Sequence, residues 1–298
     1  LSKPRPTFIL TRGRYDAPNT DANRVARNTF AKLLIPFPKD APHNRLGLAH
    51  WLTDPHHPLT ARVFVNRMWV RFFGRGLVTT PENFGQQGAL PTHPELLDWL
   101  ARDFVEHGWD IKRLCRTIVL SSTYRQDSRC SSELRERDSE NQLLARGPSR
   151  RLSAEQIRDV ALAASGLIDR KMGGPPVSPY QPGGDLWRES NTMSPAYHQS
   201  VGRDLYRRSV YSVWKRTTPL PNMMAFDSPT REVCTVTRGR TNTPLQALVL
   251  LNDVQFIEAA RALAASVMKP DVEVPAQIDE AFLRLTGRHP DPTERHAD

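Results

Sequence analysis

Thr60-Ala61-Arg62-Val63-Phe64-Val65-Asn66-Arg67-Met68-Trp69-Val70-Arg71-Phe72-Phe73-Gly74 is the stretch on which the reading of the fold turns. Thr60 can cap a helix, and Gly74 supplies the left-handed residue that commonly closes one. Val63, Phe64, Val65, Met68, Trp69, Phe72 and Phe73 leave this helix apolar around most of its circumference. Such a helix belongs at the centre of a core. Asn66 and Arg67 interrupt it as a polar pair, and buried polar groups need partners. Both are therefore expected to be buried, with Arg67 tying the helix to a carboxylate or to backbone carbonyls elsewhere.

Outward from this element the chain reads as helical. Arg45 to Leu52 is a short helix ending before Asp54-Pro55. Thr92-His93-Pro94-Glu95 fits a capping box opening a helix to about His107. From Asp110 to about Ser122, Ile111, Leu114, Cys115, Ile118 and Val119 form an amphipathic stripe. Ser153-Ala154-Glu155-Gln156 is a second capping box, with Ile157, Val160, Ala161, Ala164 and Leu167 expected inward. Thr243-Pro244-Leu245-Gln246 is a third, opening one long helix whose stripe continues to Val267. Two strands are expected: Thr7 to Thr11, closed by Arg12-Gly13, and Arg208 to Thr217, in a small sheet against the helices. Gly173-Gly174-Pro175-Pro176 and Pro179 to Gly184 cannot be regular structure. The expected fold is mainly α: a multi-helical domain with a small β-sheet or hairpin and long Pro/Gly-rich loops. Residues 1–43 read as a connector from an upstream domain, and 44–298 as one helical domain, truncated where a new helix starts at Pro292-Thr293-Glu294. The opening Leu-Ser-Lys-Pro-Arg-Pro likewise reads as cut from a longer protein.

The 298 residues are 39% hydrophobic and 24% charged, a globular balance. No apolar run is long enough for a bilayer. The net charge of +9 comes from 34 arginines and only 7 lysines. They are scattered among acids, as in Glu133-Leu134-Arg135-Glu136-Arg137-Asp138, rather than gathered into a basic stripe. A basic surface with internal ion pairs explains this better than a nucleic-acid partner, which would need several simultaneous phosphate contacts. Cys115, Cys130 and Cys234 are too few and too far apart for a disulfide framework, and no Cys-x-x-Cys-His is present to attach haem. His56, His57 and His93 lack metal-ligand spacing, and no His-Glu-x-x-His occurs. No metal site and no cofactor are expected in this segment. Serine-nucleophile and phosphate-loop signatures are also missing.

The densest group of charges is the loop Phe226-Asp227-Ser228-Pro229-Thr230-Arg231-Glu232-Val233-Cys234, followed by Arg238, Arg240, Thr241 and Asn242. Asp227, Arg231, Glu232, Arg238 and Arg240 admit two readings. They could staple the loop, Asp227 pairing with Arg231. Alternatively Arg238 and Arg240, next to a helix start, could face an anion.

The run Asn44-Arg45-Leu46-Gly47-Leu48-Ala49-His50-Trp51-Leu52 resembles a known family, as do Asn66-Arg67-Met68-Trp69, Thr92-His93-Pro94-Glu95-Leu96-Leu97-Asp98-Trp99-Leu100 and Thr243-Pro244-Leu245-Gln246-Ala247-Leu248. The likeness is to the planctomycete cytochrome-associated C-terminal domain, domain of unknown function family 1553. It implies a module of a large exported bacterial protein, periplasmic or extracellular. There it would act as a scaffold or interaction domain beside a companion domain and a c-type cytochrome domain, where any haem would reside. The alternative is an enzyme or binding module for an anionic polysaccharide or sugar, and nucleic-acid binding is a remote third. A deep pocket at the 226–242 loop would favour a ligand; a flat apolar patch would favour docking.

Overall fold

The computed structural model describes residues 5–10, 14–16, 20–30, 34–181 and 196–295. Thr11, the Arg12-Gly13 turn and Pro182 to Gly184 lie outside them. Eleven α-helices are present among the described residues: α1 Arg45–Leu52, α2 Thr60–Phe73, α3 Pro94–Glu106, α4 Ile111–Leu120, α5 Ser132–Arg137, α6 Ala154–Ala164, α7 Pro221–Ala225, α8 Pro244–Asn252, α9 Val254–Val267, α10 Val274–Thr286 and α11 Pro292–Arg295. Two short strands, β1 Thr7–Phe8 and β2 Arg24–Val25, pair antiparallel, Thr7 opposite Val25. The fold is mainly α, as the periodicity indicates. The residues divide into two compact units, Leu1–Arg150 and Arg151–Asp298, so the boundary falls inside the stretch read as one helical domain.

In the first unit α2 packs on α3 and α4. Val65, Trp69, Leu97, Leu100, Phe104, Leu114 and Ile118 form the core with Leu77 and Val78 from the chain after α2. Gly74, at φ 82°, ends the helix as its sequence position requires. Asn66 is fully buried, and its amide makes a two-way clasp with Val78. Its Nδ2 donates to the Val78 carbonyl at 3.0 Å, and its Oδ1 accepts the Val78 N–H at 2.9 Å. The side chain thus does what a neighbouring strand would do for that peptide. A Cβ on Gly76 would lie 2.4 Å from the Val78 carbonyl oxygen and 2.8 Å from each polar atom of the Asn66 amide, so only glycine fits. Arg67, expected buried beside Asn66, is instead exposed. One residue is about 100° of helix, which turns it out of the core.

The starts of the helices depart from the expected caps. Thr60 lies inside α2, whose first N–H groups are met by a histidine. His57 Nδ1 accepts from the N–H of Leu59 at 3.3 Å and of Thr60 at 3.2 Å, and lies 3.0 Å from the Thr60 hydroxyl. His57 is buried edge-on to Trp51, whose indole donates to the Ile35 carbonyl. Thr92 does not cap α3; its N–H and hydroxyl both donate to the Leu77 carbonyl. The box at Ser153 forms as expected.

In the second unit α6, α7, α8 and α9 surround Ala154, Leu220, Met223, Phe226 and Phe256. The expected strand from Arg208 to Thr217 is absent. Ser209–Tyr211 is a 3-10 turn, and only an isolated bridge joins Val177 to Ser212. The long helix expected from Thr243 breaks at Asp253, whose ψ of 132° leaves the helical region. Its carboxylate accepts the Gln255 N–H and so begins α9.

Two outcomes are expected. Gly76→Ala forces the Asn66 clasp apart and costs roughly 1–3 kcal/mol, read as a lowered midpoint in urea unfolding, whereas Arg67→Ala leaves it unchanged. Burial holds the His57 imidazole below its ordinary value of 6.5, outweighing the opposing pull of Asp54. The unfolded chain therefore binds the proton first, and the stability of the neutral cap, present above 6.5, is lost as pH falls toward the folded value. Melting temperatures from about pH 7.5 to about pH 5.5 should fall more for wild type than for His57→Gln.

Candidate functional site

The second unit is organised by two buried arginines that the sequence reading passed over. Arg158 follows Ala154 by four residues and precedes Leu162 by four, and all three are buried. Its place on the inward stripe of α6 was the available signal. The guanidinium donates from Nε to Gln255 at 2.9 Å, from Nη1 to the Arg207 carbonyl at 2.7 Å and from Nη2 to the Leu205 carbonyl at 2.9 Å. Burial pulls its pKa down to about 10, against the attraction of Asp159, so it stays charged at neutral pH. Asp159 accepts the N–H and hydroxyl of Ser209, both at 2.7 Å. Arg207 lies over the Tyr211 ring at 3.9 Å and donates to the carbonyls of Lys171, Gly173 and Pro175. Glu258 on α9 accepts the phenols of Tyr206 at 2.8 Å and Tyr180 at 3.0 Å. Its hydrogen bond pushes the Tyr206 hydroxyl up to about 12.

On this frame sits the 226–242 loop. Asp227 has φ 59° and does not pair with Arg231, as expected; its carboxylate accepts the Thr241 N–H at 2.6 Å and the Thr241 hydroxyl at 2.9 Å. Gln246, read as the end of a capping box, is buried and donates to the Thr241 hydroxyl at 3.1 Å. The two ends of the loop are thereby fastened to the start of α8. Arg231 lies over the Trp214 ring at 4.6 Å, and the Trp214 indole donates to the Thr230 carbonyl. Arg238, read as facing outward, makes a forked pair with Glu155 at 2.8 and 2.9 Å. Burial tends to raise the Glu155 carboxyl, but the helix N–H and Arg238 outweigh it and hold it low. Glu232 and Cys234 are exposed, as is Arg240. The five singled-out charges therefore do not converge. They divide among Thr241, Trp214 and Glu155, and Asp227, Arg231 and Arg238 serve the staple reading.

Among the described residues, no three His, Cys, Asp or Glu side chains are grouped as a metal cage, and no helix is long and apolar enough to cross a membrane. In the first unit a shallow depression is lined by Trp69, Phe73, Arg75, Asn141 and Leu144, with the Arg75–Glu140 ion pair at its edge.

The most distinctive surface is α8 itself. Gln246, Val249 and Asp253 recur at i, i+3 and i+7 on its inward side, and Gln246 is only 1% exposed. Leu245, Leu248 and Leu251 occupy the outward side, Leu248 at 57% and Leu251 at 74% exposure. Val254 and Ile257 continue the apolar surface onto α9. This helix buries its amide and presents its leucines, the reverse of an ordinary surface helix.

A helical module with an internally stapled charged loop and an outward leucine face is the class these features define. The chain belongs to the family described as a protein of unknown function (DUF1553), whose model matches residues 44–297. No curated protein and no solved structure matches it.

If the loop charges are staples, alanine variants rank by burial in thermal unfolding. Arg158→Ala costs roughly 3 kcal/mol or more, since it strands two carbonyls and an amide. Arg238→Ala costs about 1–2 kcal/mol, and Arg231→Ala about 0.5–1 kcal/mol. Equal melting temperatures for Arg238→Ala and wild type would return Arg238 to the solvent and reopen an anion site.

Proposed function

We propose that this chain is a scaffold or interaction module of a larger exported protein. It docks on a companion domain of the same polypeptide, beside a c-type cytochrome domain that carries the haem. The single observation behind this reading is the leucine face of α8. Fully burying one leucine is worth about 1.5–3 kcal/mol, so three on one short helix, continued by Val254 and Ile257, can hold a partner. Contiguous exposed apolar surface of this kind is characteristic of interaction sites. An anionic-sugar reading has less to stand on, because Arg231 and Arg238 are engaged by Trp214 and Glu155. In keeping with this role, the segment is proposed to carry no cofactor and to act outside the cytoplasm.

The test is surface labelling with a photoactivated carbene reagent, applied to this chain alone and to the full-length protein. Leu248 and Leu251 should be labelled in the first and shielded in the second. A Leu248→Glu/Leu251→Glu variant should melt at the wild-type temperature, because both side chains are already in water, yet lose the shielding. Equal labelling of the two leucines in both forms would sink the docking reading.

A further inference from the structure

The surroundings of the leucine face carry information about what covers it. The segment 215–252 holds Lys215, Arg216, Arg231, Arg238 and Arg240 against only two carboxylates, Asp227 and Glu232. Within α8 there is no charged side chain. The cationic residues reach the face through identified contacts. Thr241, next to Arg240, receives the Gln246 amide at the first turn of α8. Trp214, which carries Arg231 on its ring, packs on the same core cluster as Val249 of α8. The leucines are therefore bordered on the N-terminal side of the helix by a cationic loop, and Asp253 closes the other end.

We infer that the occupant of this face is an acidic amphipathic helix: a protein segment with an apolar stripe flanked by Asp or Glu. The inference rests on the docking reading above and adds the chemistry of the partner. An apolar stripe alone would accept many surfaces, and charge around it sets which of them is chosen. A second copy of this chain is disfavoured, since a two-fold contact sets each cationic loop against an identical helix end or an identical loop. An anionic lipid surface fits less well, because helices that lie on membranes carry Lys and Arg on their own polar face. α8 has neither, and Asp253 follows directly.

The experiment uses this chain and two synthetic helical peptides with identical leucine stripes, one flanked by Glu and one by Lys. Binding is followed by fluorescence anisotropy, beside vesicles of phosphatidylglycerol and sedimentation of the chain alone. The Glu peptide should bind at least about tenfold more tightly than the Lys peptide at low salt, and the advantage should shrink at about 0.5 M salt. Leu248→Ser/Leu251→Ser should abolish binding of both peptides, and Arg231→Glu should reduce the preference several-fold. Equal affinity for both peptides, preference for Lys, or binding of neither overturns the acidic partner. So does vesicle binding that blocks the Glu peptide, which assigns the face to lipid. Self-association lost in the leucine variant also overturns it and assigns the face to a second copy. Failure of the docking reading itself is seen separately, in unchanged carbene labelling of the full-length protein.

Discussion

The guanidinium of Arg158 sets the terms for the second unit. The chain from Asp169 to Ser212 has almost no regular structure among its described residues, yet parts of it are buried. Its carbonyls cannot be left without donors in the interior. Arg158 and Arg207 supply those donors, five of them to carbonyls between Lys171 and Arg207. A guanidinium is suited to this because its donors are planar, fixed and permanently charged. Gln255 and Asp159 complete the set by joining the irregular chain to α9 and α6. The loop at 226–242 and the start of α8 rest on what this polar frame holds in place.

Seen in these terms, the high arginine content has a structural use distinct from surface ion pairing. Sequence reasoning expected internal pairs with carboxylates, and Arg238 with Glu155 is one. The two most buried arginines are turned mainly to backbone carbonyls, where no acidic residue in the sequence announces a partner. Arg158 could have been found from its place between Ala154 and Leu162. Arg207 could not, because its partners lie 32 to 36 residues away in glycine- and proline-rich chain.

Helix positions were legible and helix beginnings less so. The 3.6-residue stripes and the Gly74 stop placed α2, α3, α4 and α6 closely. Capping boxes failed where tertiary contacts claimed the same groups: Thr92 is taken by Leu77, and Gln246 by Thr241. The Arg208 to Thr217 alternation looked like a strand because Val210 and Trp214 are β-formers. The segment turns instead, with the Tyr211 and Ser212 N–H groups donating to Arg208 and Ser209. The stripe from Leu245 to Val267 concealed a break, since Asp253 reads equally well as a surface residue inside a helix or as a cap beginning one. Of the loop charges, their density was visible from the sequence and their destinations were not. Trp214, Glu155 and Thr241 reach Arg231, Arg238 and Asp227 from outside the loop or from its far end. The outward leucines of α8 had been assigned to the core stripe, because periodicity finds an apolar face without saying whether protein or solvent meets it.

The span of the Arg158 contacts also bears on synthesis. Arg158 and Gln255 are 97 residues apart, whereas Asn66 and Val78, which close the first unit around α2, are separated by 12. Contacts between distant residues make folding slower than local ones do. On the ribosome the first unit can close while the second is still being made. The second must wait, with its carbonyls in water, until α9 has left the exit tunnel. Order of emergence thus becomes order of folding, and the leucines of α8 spend that interval in the company of whatever the nascent chain meets first.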